Sequence, residues 1–263
     1  MKESKSAQYH SKISKDYDNM YQEKYWDIHT AIELSKLNKY LPKQKSRILD
    51  AGGGTGNFTI EFAKQGHEVI LTDISFGMLE EAKKKIKKLG LDDKIRILKQ
   101  DITNMKDLKS GYFDFVVSLG DPVSYCQKEE EAIKELARVA KSGSYVFITV
   151  DSFFNTMLKL IMDMNYRELE NLEETSKTRY PFDFIEHNFK VDELKNLFEK
   201  YNLRVIEVFG LLNLVNKIEK EKLEKILSNE KNFAIIKELE LKYSSEPSII
   251  GIAGHIGIVG KKK

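Results

Sequence analysis

Cysteine is almost missing from this chain. Cys126 is the only one, so no intrachain disulfide can form, and a protein of the reducing cytoplasm is expected. No apolar run approaches the roughly 20 residues of a bilayer-spanning helix, so no membrane contact is expected. Met1-Lys2-Glu3-Ser4 opens the chain without the apolar stretch of a secretion signal. Charge of one sign is not in excess either. The formal balance is +2, which advertises neither nucleic acid nor a lipid surface. Internal repeats and low-complexity linkers are missing. No cluster of His, Cys and carboxylates has metal-ligand spacing, so no metal is expected.

What is present is an alternation of short apolar strands and amphipathic helices. Residues 1–42 read as a polar, helical lead-in, with Tyr17, Tyr21 and Tyr25 on one helix face and Pro42 as its stop. Arg47–Asp50, Glu68–Asp73, Ile95–Lys99, Phe113–Ser118 and Tyr145–Val150 read as five strands. Helices fall between them, one carrying the stripe Met78, Leu79, Ala82, Ile86 and Leu89 beside a solvated lysine face. This rhythm implies a doubly wound, mostly parallel sheet over 43–150. It breaks in an irregular or helical insertion at 151–190. A helix (Val191–Tyr201), a sixth strand (Leu203–Phe209), a helical insertion (211–248) and a glycine-rich apolar strand (Ile249–Val259) then complete the core over 191–263.

Four segments carry chemistry. Asp50-Ala51-Gly52-Gly53-Gly54-Thr55-Gly56 joins the first strand to a helix. Glycines there let the backbone turn and approach a ligand, and the helix aims its first amides into the same crevice. Asp73 ends the second strand, where a carboxylate can accept from both ribose hydroxyls, the role favoured beside the glycine loop over that of a cap for the helix that follows. Asp101-Ile102 follows the third strand, where a carboxylate and a backbone amide can meet an adenine edge, or simply make a turn. Ser118-Leu119-Gly120-Asp121-Pro122 follows the fourth, where a transferable group would meet its acceptor; Asp121-Pro122 also suits an ordinary turn.

These segments together resemble the class I S-adenosylmethionine (SAM)-dependent methyltransferases of the type 11/25-like group, closely over residues 40–150. The resemblance implies a Rossmann-like seven-stranded sheet, with an antiparallel last strand (Ile256–Val259) inserted at an edge next to strand six. It implies SAM as cofactor and S-adenosylhomocysteine as product. Gly52, Gly53 and Gly54 would pack on the methionine part, Asp73 would hold the ribose, Asp101 and Ile102 the adenine, and Leu119 would lie beside the sulfonium. Tyr17, Tyr21, Asp50, Ala51, Gly56, Ile74, Met78, Ser118 and Gly120 complete the expected cofactor wall. The lead-in and the two insertions would form a cap.

A narrower similarity joins Asp50–Gly54, Gly66–Leu71 and the tail Glu238-Leu239-Glu240…Glu246-Pro247…His255-Ile256 to the bacterial tRNA wobble-uridine carboxymethyl methyltransferases. That family carries a histidine where this chain has Leu119-Gly120-Asp121, a step more like small-molecule methyltransferases. A small-molecule acceptor is therefore expected, with tRNA as the alternative and a monomer or homodimer as the assembly. A non-catalytic SAM-binding protein is the rival of another class. Methyl transfer from a sulfonium is an in-line displacement, so alignment of the reactants does most of the work, about 7–11 kcal/mol. A general base is needed only if the acceptor must lose a proton early. The candidates for one are His187, Asp121 and Tyr25. His29 and Tyr25 could close over the cofactor, and His255 reads as structural.

Overall fold

The computed structural model describes residues 4–179 and 182–263. The start of the lead-in, residues 1–3, and Tyr180 and Pro181 within the 151–190 insertion lie outside the described residues.

The lead-in comprises α1 (Lys5–Ile13), a 3-10 segment (Tyr17–Gln22) and α2 (Lys24–Tyr40). Ser4 caps α1 by accepting from the Ala7 amide at 3.1 Å. The expectation that Tyr17, Tyr21 and Tyr25 share one helix face is not met. The tighter 3-10 winding ends at Gln22, and a new helix starts at Lys24. Tyr17 and Tyr21 stay together with their hydroxyls 3.4 Å apart, while Tyr25 donates to Asn216 Oδ1 at 3.0 Å.

The core then winds as expected through β1 (Arg47–Ala51), α3 (Asn57–Lys64), β2 (Glu68–Asp73), α4 (Phe76–Lys88), β3 (Ile95–Lys99), β4 (Phe113–Ser118), a short α5 (Pro122–Tyr125), α6 (Glu129–Val139) and β5 (Ala140–Asp151). The first insertion is α7 (Phe153–Met162), α8 (Tyr166–Thr175) and a small hairpin of β6 (Lys177–Thr178) with β7 (Glu186–His187). After it come α9 (Val191–Lys200) and β8 (Leu203–Leu211). The second insertion is α10 (Lys220–Ser228), α11 (Glu230–Tyr243) and α12 (Pro247–Ile250), and β9 (His255–Lys262) closes the chain. Buried Glu240 of α11 ties that insertion down, accepting from the Asn213, Leu214 and Val215 amides at 2.8–2.9 Å.

The strand order is β3-β2-β1-β4-β5-β9-β8, with β9 antiparallel to both neighbours. Two expectations change here. The final strand does not start at Ile249, because Pro247 opens a helical turn and Gly251 and Gly254 break the run before His255. Nor does it sit at an edge: β9 fills the slot between β5 and β8, and β8 is the edge. The physical reason is burial on both faces. Ile256, Ile258 and Val259 are fully buried, and Gly257 and Gly260 leave room for the rings of Phe209 and Phe198.

Alternation within strands divides the core. Ile48, Leu71 and Phe115 face α2, α3 and α4, while Leu49, Val116 and Val146 face α6 and α9. The order reverses between β1 and β4. Helices diverge there at the carboxyl ends of the strands and leave a crevice.

Candidate functional site

A cavity of about 310 Å³ opens at that reversal. Its floor is the loop after β1. Gly52 (φ +75°), Gly54 (φ +56°) and Gly56 (φ +80°) take left-handed backbone that other residues rarely adopt. The Gly52 and Gly53 amides donate to Thr72 O at 2.7 and 3.1 Å, which lashes the loop to β2. A Cβ on Gly52 would run into the Pro122 ring, and one on Gly53 into Leu71 and Asp50. Asp50 accepts from Thr59 Oγ1 at 2.6 Å, and burial pushes its carboxyl up to about 6.

Asp73 stands at the end of β2 with both oxygens engaged. Oδ2 accepts from the Gly54 amide at 2.9 Å and Oδ1 from the Ser75 amide at 2.7 Å. Burial raises its carboxyl despite these bonds. The α4 cap itself is Ser75, whose hydroxyl accepts from the Met78 amide. Asp101 Oδ1 accepts from the Thr103 amide and hydroxyl at 2.9 and 2.8 Å, so it shapes a turn while its residue borders the cavity.

The lead-in is the roof. α1 lies across the start of α4, with Ser11 Oγ 2.8 Å from Ser75 Oγ and accepting from the Gly77 amide at 3.3 Å. His10 lines the roof. Its Nδ1 lies 2.8 Å from Ser6 O, and burial lowers its pKa. The next segment is clamped by Asp18. Its Oδ1 accepts from Thr55 at 2.6 Å and Asn57 at 3.1 Å, and its Oδ2 meets Lys85 at 2.6 Å. Burial works to raise the Asp18 carboxyl, but Lys85 and Thr55 together hold it below the usual range.

Of the expected cofactor residues, Tyr17, Tyr21, Asp50, Gly52, Gly53, Gly54, Asp73, Ile74, Met78, Asp101, Ile102, Leu119 and Gly120 border this one cavity. Ala51 is buried in the core, Gly56 begins α3 and Ser118 is fully buried, and these three do not line it. The cavity also takes His10, His29, Glu33, Asn57 and Tyr125. Only His29 was singled out in the sequence. The others sit in ordinary helical surroundings, and no local signal marks them.

The three candidate bases separate. His187 lies in the β6–β7 hairpin, outside the cavity lining, with Nε2 2.7 Å from Glu193 and Nδ1 3.4 Å from Glu129. Tyr25 also lies outside the lining. Asp121 lies directly behind Gly120 in left-handed backbone (φ 66°), a strained conformation for a non-glycine residue. Its Oδ2 is 2.8 Å from His255 Nδ1, and Asp151 Oδ1 is 3.7 Å from the same nitrogen. No metal was expected from sequence spacing, yet ligand atoms of Asp121, Asp151 and His255 all lie within 4.8 Å of one another. Burial works to lower the His255 pKa, but Asp121 overrides it and carries it up to about 9. Burial and the neighbouring Asp121 raise Asp151 to about 7. His255, read as structural, therefore joins β9 to the β4 loop by an ion pair.

Residues 48–143 match the family described as a methyltransferase domain. Over 114 residues the chain is 30% identical to the demethylmenaquinone methyltransferase of Bacteroides fragilis, covering 43% of this chain and 46% of that protein. The chain thus spans about half the length of that curated relative. Over 66 residues it is 38% identical to the tRNA 5-carboxymethoxyuridine methyltransferase of Escherichia coli, covering 25% of each. Among solved structures, the Haemonchus contortus phosphoethanolamine N-methyltransferase 2 in complex with S-adenosyl-L-methionine superposes with a TM-score of 0.62 at 19% identity. That match covers 90% of this chain and 52% of that one, and it is a likeness of fold.

Proposed function

We propose, from the premise that this chain belongs through residues 48–143 to the class I SAM-dependent methyltransferase family, that it transfers a methyl group from SAM to a small molecule enclosed beneath its lead-in. The observation that carries this reading is convergence. The glycine cradle, Asp73, Asp101-Ile102 and Leu119-Gly120 come from the ends of four strands and border one cavity.

The residues fit the cofactor. Gly52 and Gly53 sit where a Cβ would meet Pro122, Leu71 or Asp50, so only glycine lets the loop follow this path along the cavity with its backbone turned to a ligand. Asp73 is a half-buried carboxyl group held in place by the Gly54 and Ser75 amides, and it borders the cavity where a ribose diol would need an acceptor. Asp101 and Ile102 border the place for an adenine edge, and Leu119 the place for the reacting centre. SAM, when bound, supplies a methyl carbon already activated by a sulfonium. This chain's own part is to align the acceptor, exclude water under α1 and hold the roof through Asp18 and Ser11.

A small acceptor is supported by the roof. α1 and the 3-10 segment cover the cavity, and Tyr17, Tyr21 and Tyr125 narrow it. Among the described residues no helix is long and apolar enough to cross a membrane. We place the protein in the cytoplasm, a reading supported by its lone thiol, Cys126. The tRNA reading is favoured by one observation, the 38% identity over 66 residues, and it predicts a cationic cleft. The cavity lining contains one cation from Lys or Arg, Lys128, against Glu33, Asp50, Asp73 and Asp101.

The experiment is calorimetric titration with SAM, S-adenosylhomocysteine and NAD, followed by transfer of a labelled methyl group to metabolite pools and to total tRNA. Binding of both SAM species and label in the metabolite fraction is expected. Binding of NAD alone overturns the reading, and tight SAM binding without any transfer leaves a SAM-sensing protein.

A further inference from the structure

The methyl-transfer reading assigns the reaction to the part of the cavity at Leu119-Gly120, where the Tyr17 hydroxyl stands beside Gly120, and His29, Glu33, Tyr21 and Tyr125 line the same cavity. Glu33 is the unusual member. It is 1% exposed, Oε2 stands 3.3 Å from His29 Nδ1, and Oε1 accepts no hydrogen bond among the described residues. A buried carboxylate oxygen without a donor is costly in a dry site. Nothing in α2 explains it, because a Leu or Met at that position would complete the stripe of Ile28, Ile32 and Leu37. Behind Gly120, Asp121 places a second buried carboxylate on the same side, held by His255.

The field of these carboxylates is felt across the cavity. Burial raises the Tyr17 phenol to about 12 and holds the Tyr21 phenol well above its ordinary value, and Glu33 and Asp121 add to both. Among the described residues the lining holds one Lys or Arg, Lys128, next to Gln127 and Cys126, and Cys126 in turn feels Asp101, the side that the same reading gives to the adenine. Aromatic rings run on from there, Tyr17 and Tyr21 at 5.8 Å in the lining, and behind it Tyr21 and Trp26 at 5.8 Å and Trp26 and His29 at 5.3 Å. A free carboxylate oxygen among aromatic rings is an arrangement that attracts an ammonium and repels carboxylates and phosphates.

Resting on the methyl-transfer reading above, we propose that the acceptor is an amine, bound as its ammonium against the Glu33 carboxylate and methylated on nitrogen. The bound ammonium gives one proton to the Glu33–His29 pair. The freed nitrogen lone pair forms the N–CH3 bond while the CH3–S bond breaks and its electron pair stays on sulfur. The product leaves as a protonated N-methylamine, and the pair returns its proton to solvent. Glu33 is then the residue that sets specificity by charge.

The test uses the whole 263-residue chain saturated with S-adenosylhomocysteine, so that acceptor binding is read without turnover. Three probes of similar shape are compared by thermal shift and calorimetry: 2-phenylethylamine, 3-phenylpropionate and 2-phenylethanol. The amine is expected to bind and raise the melting temperature, the other two not. Glu33→Gln keeps the side-chain shape and should weaken the amine roughly 10- to 100-fold, with S-adenosylhomocysteine affinity unchanged. Preference for the carboxylate or the alcohol, or no binding of the amine, overturns the proposal. So does a Glu33→Gln protein that loses S-adenosylhomocysteine instead, because Glu33 would then serve the methionine ammonium of the cofactor. Failure of the wild type to bind S-adenosylhomocysteine is a separate result, and it refutes the methyl-transfer reading itself.

Discussion

Gly77 offers the sharpest test of the roof. It lies in the first turn of α4, where α1 crosses, and a Cβ there would stand 2.8 Å from both Ser11 Cα and Ser11 O. Carbon atoms in contact prefer about 3.5–4.0 Å, so Gly77→Ala must push α1 outward by about 1 Å. Two effects then oppose each other. Within α4, alanine for glycine favours the helix by about 0.5–1 kcal/mol. At the roof, Ser11 loses its bonds to Ser75 Oγ and from the Gly77 amide, now 2.8 and 3.3 Å. At about 0.5–1.5 kcal/mol each, that is about 1–3 kcal/mol against docking. The docking term falls on α1 alone and the propensity term on the whole domain, so the two separate experimentally. The global melting temperature should hold or rise slightly, while amide exchange over residues 5–13 accelerates and S-adenosylhomocysteine affinity falls about 10-fold. Hydrogen exchange by mass spectrometry and calorimetry read the two terms independently. A variant with protected α1 amides and unchanged affinity would show that the roof does not close in this way.

Asp73→Ala should weaken SAM by about 2–4 kcal/mol through the lost diol acceptor, with the fold surviving; unchanged affinity in calorimetry would leave Asp73 as a partner of Gly54 and Ser75 only. The raised pKa of His255 has a definite pH signature. The folded state binds this proton more tightly than the unfolded one, so its stabilisation is complete below the ordinary value of 6.5 and is lost as pH rises through about 9. His255→Gln should flatten the fall in denaturant stability between pH 6.5 and 9, and an unchanged slope would refute the ion pair. For the acceptor class, filter binding of total tRNA across a salt series should show weak affinity with a shallow slope. A slope of several units, or label entering tRNA, would transfer the acceptor assignment to RNA.

Much of the architecture was legible because it is written locally. Alternating apolar residues, glycine at helix ends and a carboxylate at the end of each of two early strands are short-range signals, and their chemistry depends on backbone direction more than on neighbours. The last strand was misplaced for the same reason. Its apolar run reads continuously from Ile249, and only the packing of Phe198 and Phe209 over Gly260 and Gly257 decides that it starts at His255 and fills an interior slot.

The sequence by itself thus determined a doubly wound sheet with a glycine loop, and the positions of Asp50, Asp73 and Asp101 at strand ends, since each needs only its own strand and turn. The tertiary structure alone decided the rest. It laid α1 over Gly77, joined Asp18 to Thr55 and Lys85, and set Glu33 from a helix of the lead-in into the wall of the cavity. It also gathered Asp121, Asp151 and His255 from the ends of three strands. These contacts link residues far apart in the chain, and a buried charge or a missing Cβ carries meaning only once the group it faces is in place.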